Sequence, residues 1–114
     1  MIPYGRQNIS QADIDAVMDV LKSDFLTQGP AVNSFEDALT QKTGGKHAVA
    51  FTNATAALHI GCLALDLGPS DLLWTSPITF VASANCGRYC GATVDFVDID
   101  PETFNICPDA LRKS

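Results

Sequence analysis

A chain of 114 residues, 46% apolar and 18% charged, can supply one core, and it is also about half the length of many α/β enzymes. Thirteen acidic residues against seven basic ones give a net charge of −6, which excludes nucleic acid and anionic membranes as general partners, because both require a basic footprint. No apolar run reaches the roughly 18 residues of a membrane span, and Met1-Ile-Pro-Tyr-Gly-Arg6 lacks the regions of a signal peptide, so the expected location is the cytoplasm.

Residues 1 to 9 show no period and read as an extended arm. Ser10 and Asp13 form a capping-box pattern, and Ile14, Val17, Val20 and Leu21 then mark one face of an amphipathic helix ending near Ser23. Asp24 to Pro30 breaks that helix with a Gly29-Pro30 loop. Its Leu26-Thr27-Gln28 either meets a ligand or partner or is a solvated connector. A second helix is expected to bury Val32, Phe35, Ala38 and Leu39 and to stop at Gly44-Gly45.

The run His47 to Phe51 has strand character and leads through Thr52-Asn-Ala-Thr-Ala-Ala-Leu-His-Ile60 into a buried helix expected over 57–67. A strand-to-helix turn at the carboxyl end of a strand exposes the first N–H groups of the helix, where its dipole favours an anion. Ala54, Ala56 and Ala57 let a ligand approach the backbone, and the Thr55 hydroxyl adds a donor for a phosphate oxygen. The competing reading makes Asn53 or Thr55 a helix N-cap and nothing more. Neither G-x-G-x-x-G nor a Walker A pair is present, so any phosphate here is held by another kind of turn. His59 lies among apolar residues and reads as a satisfied core side chain.

Gly68-Pro-Ser70 resets the chain for a short strand, Asp71 to Thr75. Ser76-Pro-Ile-Thr79 forms a second turn, with Phe80 near the start of a helix that runs to about Cys90 and closes at Gly91. Thr93 to Val97 is the next strand, Asp98 to Thr103 a turn, and Pro108-Asp109 the first turn of a helix whose body is expected beyond the chain. Alternating strands and helices imply an α/β fold with parallel pairing. The two turns, 53–56 and 76–80, are then expected side by side on one rim, one offering phosphate donors and the other an aromatic face. That combination suits a phosphorylated planar ring, although Phe80 taken alone also reads as a core aromatic. Cys62, Cys86, Cys90 and Cys107 have no zinc-ligand spacing and are expected as reduced, mostly buried thiols, with no metal.

Four stretches resemble one family in order and spacing: Leu26-Thr-Gln-Gly-Pro30, Asn53-Ala-Thr-Ala-Ala-Leu-His59, Ser76-Pro-Ile-Thr-Phe-Val-Ala82 and Gly91-Ala-Thr-Val-Asp-Phe-Val-Asp-Ile-Asp-Pro101. The chain is similar throughout to the N-terminal part of the DegT/DnrJ/EryC1/StrS sugar aminotransferases. The resemblance implies a three-layer, aspartate-aminotransferase-like large domain (fold type I) dependent on pyridoxal 5′-phosphate (PLP). Residues 1–30 would be an arm, a helix and a substrate or interface loop, and 31–114 the first part of the large domain. It further implies glutamate as amino donor, a nucleotide-sugar acceptor and a homodimer. The opening Ile2 to Arg6 and the passage Leu73 to Cys86 resemble the branch that aminates C4 of a UDP-4-keto-6-deoxy-N-acetylhexosamine.

By the same resemblance, Thr55 and the backbone of Ala56 hold the cofactor phosphate and Phe80 stacks on its ring. Tyr4, the loop Phe25, Leu26, Thr27 and Gln28, and Asn53 match segments that approach the nucleotide sugar or the dimer interface. The family's cofactor-bearing lysine matches none of Lys42, Lys46 and Lys113, so it is expected beyond residue 114 and this stretch alone should be inactive. Without the resemblance, the residues also suit a non-catalytic α/β nucleotide-binding module.

Overall fold

The computed structural model describes residues 5–114. In chain order it holds α1 (Gln11–Lys22), α2 (Pro30–Thr43), α3 (Ala54–Ala64), β1 (Leu72–Thr75), α4 (Ala82–Tyr89), β2 (Thr93–Phe96) and α5 (Pro108–Leu111). The residues gather into two compact units, one ending at Ala50 and the other spanning Phe51–Ser114. No described helix is long and apolar enough to cross a membrane.

In the first unit, local chemistry sets the helix ends. The Ser10 hydroxyl accepts from the Asp13 N–H at 3.3 Å while the Asp13 carboxylate accepts from the Ser10 N–H at 2.7 Å, completing the expected capping box. The Ser10 hydroxyl also donates to the Asp13 carboxylate at 2.8 Å, and the two bonds this carboxylate accepts, the one from the backbone N–H foremost, hold the Asp13 carboxyl below its ordinary pKa. Helix α2 starts on Pro30 and stops at Gly44, which turns left-handed at φ 73° and donates to the Thr40 carbonyl at 2.9 Å.

The expected buried faces are not buried. Val17 is 59% exposed and Phe35 55%, and neither α1 nor α2 contains a buried residue. Both apolar stripes exist, but no described element covers them. The expected strand His47 to Phe51 is also absent as a paired strand. A strand is defined by its ladder partner, and the Ala50 N–H is instead taken by the Glu36 carboxylate at 2.8 Å.

The second unit is built on the parallel pair β1 and β2, in register Leu72↔Thr93, Leu73↔Val94, Trp74↔Asp95 and Thr75↔Phe96. Helix α4 connects them and packs against both. Gly87 makes the close approach possible. A Cβ there would stand 3.1 Å from the Leu73 Cβ and 3.3 Å from the Val94 Cγ2. Ala82, Cys86, Ala92 and Val97 form the buried apolar core. Beyond β2, an Ile99↔Ile106 antiparallel bridge closes a turn in which Asp100 Oδ1 accepts from the N–H groups of Glu102 and Thr103 at 2.9 and 2.8 Å. These bonds, Thr103's first, lower the Asp100 pKa.

Helix α3 corrects a further expectation. It begins at Ala54 rather than Ala57, ends at Ala64, and buries no residue fully. Its sequence is apolar on all sides, which fits a buried helix, yet among the described elements it packs chiefly on α4. His59, half-buried, meets Tyr89 edge-on with ring centroids 5.2 Å apart and planes at 61°. The four cysteines are free, and where mostly buried thiols were expected only Cys86 is buried, the other three being half-buried. Burial, with neighbouring Cys86 and Cys90, raises the Cys62 thiol to about 11.

Candidate functional site

At the start of α3, Asn53 is extended (φ −165°, ψ 165°) and its Oδ1 accepts from the Ala56 N–H at 2.9 Å. The Ala57 N–H donates to the Asn53 carbonyl at 3.2 Å. Asn53 is therefore the N-cap, and it already occupies the Ala56 N–H that resemblance assigned to a phosphate. The N–H groups of Ala54 and Thr55 and the Thr55 hydroxyl make no hydrogen bond among the described residues. The cap therefore leaves donors over on the same turn: Asn53 satisfies one, and two adjacent amides and a hydroxyl have no partner among the described residues, beside small side chains. Residues 52–58 contain no carboxylate to repel an anion and no lysine or arginine to neutralise one. The donor set fits a phosphate held by neutral amides, a hydroxyl and the helix dipole, as PLP would require.

The second turn follows β1. The Ile78 N–H donates to Ser76 Oγ at 3.1 Å, and the hydroxyls of Thr79 and Ser83 lie 3.2 Å apart. Phe80 sits two residues ahead of α4, its carbonyl accepting from the Ser83 N–H at 3.0 Å, and is 73% exposed. The described residues therefore leave most of its ring uncovered.

Both turns belong to the Phe51–Ser114 unit and lead into helices that pack on each other. Only the second leaves a paired strand, so the shared sheet rim expected from the sequence is not built among the described residues. No described hydrogen bond joins the two turns.

Phe25, Leu26, Thr27 and Gln28 lie in the other unit, all exposed, and Gln28 has φ 54°. Tyr4 lies outside the described residues. No group of three or more His, Cys, Asp or Glu among the described residues is arranged to hold a metal ion. Two features escaped the sequence reading: the Glu36 bond to Ala50, which no spacing rule announces, and the left-handed Gln28, for which the adjacent Gly29-Pro30 gave only a general turn signal.

Comparison with known proteins follows the same lines. The model of the DegT/DnrJ/EryC1/StrS aminotransferase family matches residues 7–114. The UDP-4-amino-4,6-dideoxy-N-acetyl-beta-L-altrosamine transaminase of Campylobacter jejuni (serotype O:23/36, strain 81-176) is 46% identical over 99 residues, covering 87% of this chain and 26% of that protein. The spore coat polysaccharide biosynthesis protein SpsC of Bacillus subtilis (strain 168) is 42% identical over 111 residues, covering 97% and 28%. Among solved structures, the PLP form of Spr1654, described as a sugar aminotransferase of Streptococcus pneumoniae, superposes with a TM-score of 0.92 at 34% identity, over 98% of this chain and 29% of that one. The chain spans about a quarter of the length of the curated relatives it matches.

Proposed function

The chain belongs to the DegT/DnrJ/EryC1/StrS aminotransferase family, and from that premise we propose that it forms the cofactor-phosphate-binding opening of a nucleotide-sugar transaminase. Its fold is that of the PLP-dependent, fold-type-I sugar aminotransferases, and PLP is the family's cofactor. The reaction we propose moves an amino group from glutamate to C4 of a UDP-4-keto-6-deoxy-N-acetylhexosamine, in the pathway to pseudaminic acid. The Campylobacter jejuni transaminase supports this choice of sugar over others in the family.

The observation that carries the reading is the pair of free N–H groups, Ala54 and Thr55, at the capped start of α3. With the Thr55 hydroxyl they hold the phosphate, while Ala56 contributes shape rather than a donor. Phe80 stacks on the ring. The cofactor, when bound, supplies the electron sink for transamination. The chain's own share is to bind and orient it, and the lysine that carries it lies outside these 114 residues. Residues 31–114 open the large domain. Resemblance to the family alone assigns Phe25 to Gln28, Tyr4 and Asn53 to the nucleotide sugar or a second subunit, and the enzyme is a cytoplasmic homodimer.

The test uses the full-length enzyme with glutamate and the UDP-4-keto-6-deoxy sugar. Wild type is expected to aminate C4, and residues 1–114 alone to turn over no glutamate. Thr55→Ala removes a charge-assisted hydrogen bond worth about 1.5–3 kcal/mol, so PLP affinity falls about ten-fold or more. Phe80→Leu removes a stacking contribution of about 0.5–1.5 kcal/mol, so PLP binding weakens while the melting temperature holds. Unchanged PLP titration in both variants would overturn the site. Turnover by residues 1–114 would overturn the placing of the lysine.

A further inference from the structure

Cys62 follows His59 by three residues on α3, and Tyr89 and Cys90 follow Cys86 by three and four at the end of α4, so each set lines one face of its helix. The edge-on contact of His59 with Tyr89, ring centroids 5.2 Å apart, turns those two faces toward each other. Three thiols therefore gather between α3 and α4, which pack together. Burial first, and then Cys86 and Cys90, raise the Cys62 thiol to about 11, as such a gathering requires. Helices in contact run about 8–10 Å apart with their Cα atoms about 2.3 Å off each axis, which brings facing Cα atoms to about the 4.4–6.8 Å that a disulfide spans.

The three thiols differ in access. Cys86 is 3% exposed and its Sγ donates to the Ser83 carbonyl at 3.3 Å, which closes it off. Cys62 and Cys90 are half-buried, and Cys90 caps the end of α4, where the helix stops. The thiolate is the nucleophile, so Cys62, whose proton is held tightly, is the poorer thiol to react first. We propose that Cys90 and Cys62 form a modification site for a low-molecular-weight disulfide, with Cys90 as the entering thiol and Cys62 as the resolving one. Cys90 gives its proton to solvent and attacks one sulfur of the reagent, forming a mixed disulfide and expelling the other half, which takes up a proton. Cys62 then gives up its proton and attacks the Cys90 sulfur, closing the Cys62–Cys90 bond and releasing the second half as a thiol. Two protein thiols are oxidised and one external disulfide is reduced to two thiols. The bond, about 2.05 Å long, is shorter than any contact between unbonded sulfurs, so closing it draws α3 and α4 together. Those helices lead out of the turns at 53–56 and 76–80. Resting on the cofactor reading above, closure weakens PLP binding and reduction restores it.

The experiment incubates the full-length enzyme with oxidised glutathione and reads peptide maps taken without reductant, then titrates PLP before and after dithiothreitol. Wild type is expected to yield a peptide joining Cys62 to Cys90, and its Kd for PLP to rise about five-fold or more and to recover on reduction. Cys62→Ser is expected to stop at a glutathione adduct on Cys90, and Cys90→Ser to form no crosslink to Cys62. The wild-type map judges the bond whether or not either variant folds. Free thiols at Cys62 and Cys90 after incubation overturn the proposal, and so does a crosslink of Cys62 to Cys86. A Cys62–Cys90 crosslink that leaves PLP affinity unchanged overturns the coupling to the two turns. A reduced wild type that binds no PLP overturns the cofactor reading, while the peptide map still decides the bond.

Discussion

Helix α2 has 14 residues, a proline start and a glycine stop, and buries nothing. Helix α4 has eight, begins without a side-chain cap, and buries Ala82, Cys86 and Gly87. The longer, better-signalled helix sits in the unit whose described residues include no buried apolar side chain, and the shorter, poorly capped one sits in the unit that has a core. Caps and periodicity decide where a helix starts and stops, whereas burial depends on whether another surface arrives, and for α4 the β1–β2 pair does. Small residues at Ala82, Cys86 and Gly87 let that surface come close.

The strongest test of the contrast is a pair of substitutions in residues 1–114. Gly87→Val forces methyl groups against Leu73 and Val94 and is expected to destabilise by about 1–3 kcal/mol. Phe35→Ala, on an exposed face of α2, should change urea unfolding by no more than about 0.5 kcal/mol. Equal losses would show that the α2 face is covered after all and erase the difference between the units.

A smaller effect sharpens the role of local chemistry. Ser10→Ala removes the cap of α1 and is expected to cost about 1 kcal/mol, seen as faster amide exchange through the first turn of α1 with none in α4. Exchange that spreads to α4 would mean that the cap is not a local device.

The smallest expected effect is a difference in pH sensitivity. The Cys62 thiol is raised from 9.0 to about 11, so the folded chain holds that proton more tightly than the unfolded one, and the resulting stability is lost as pH climbs from about 9 to 11. Asp13 and Asp100 are lowered from 3.8, so what they contribute is present above that value and lost as pH falls below it. Acid therefore weakens both units, while the alkaline loss belongs to the second. Cys62→Ser is expected to abolish the alkaline slope and leave the acid limb intact. An unchanged slope would assign it elsewhere.

Much of this architecture could be read from residues that act on near neighbours. Ser10 with Asp13, Gly44, Gly91 and Pro108 placed helix ends correctly, since each works through its own backbone or that of residues a turn away, whereas Pro30, read as part of a loop, is the first residue of α2. The run His47 to Phe51 misled because strand character is a property of side chains, whereas a strand is a property of a pair. Helix α3 misled in the same way, since an apolar sequence states what a surface needs and not what covers it. At the site, the turn at 53–56 carried both the cap and the phosphate reading, and one distance identifies the cap: with Asn53 Oδ1 on the Ala56 N–H, the donors left without a partner among the described residues are those of Ala54 and Thr55. Gln28 was legible as part of a turn but not as left-handed.

The parallel pairing of β1 with β2 also bears on the order of events during synthesis. Each paired residue lies 21 positions from its partner, and the segment between them contains the helix that packs on both strands. Parallel strands are usually slow to form because they join distant parts of a chain, but this loop is short, and closure entropy grows only with the logarithm of its length. The β1–α4–β2 unit can therefore assemble as soon as residue 97 clears the ribosome, giving later-made segments a template on which to dock rather than a coil to search.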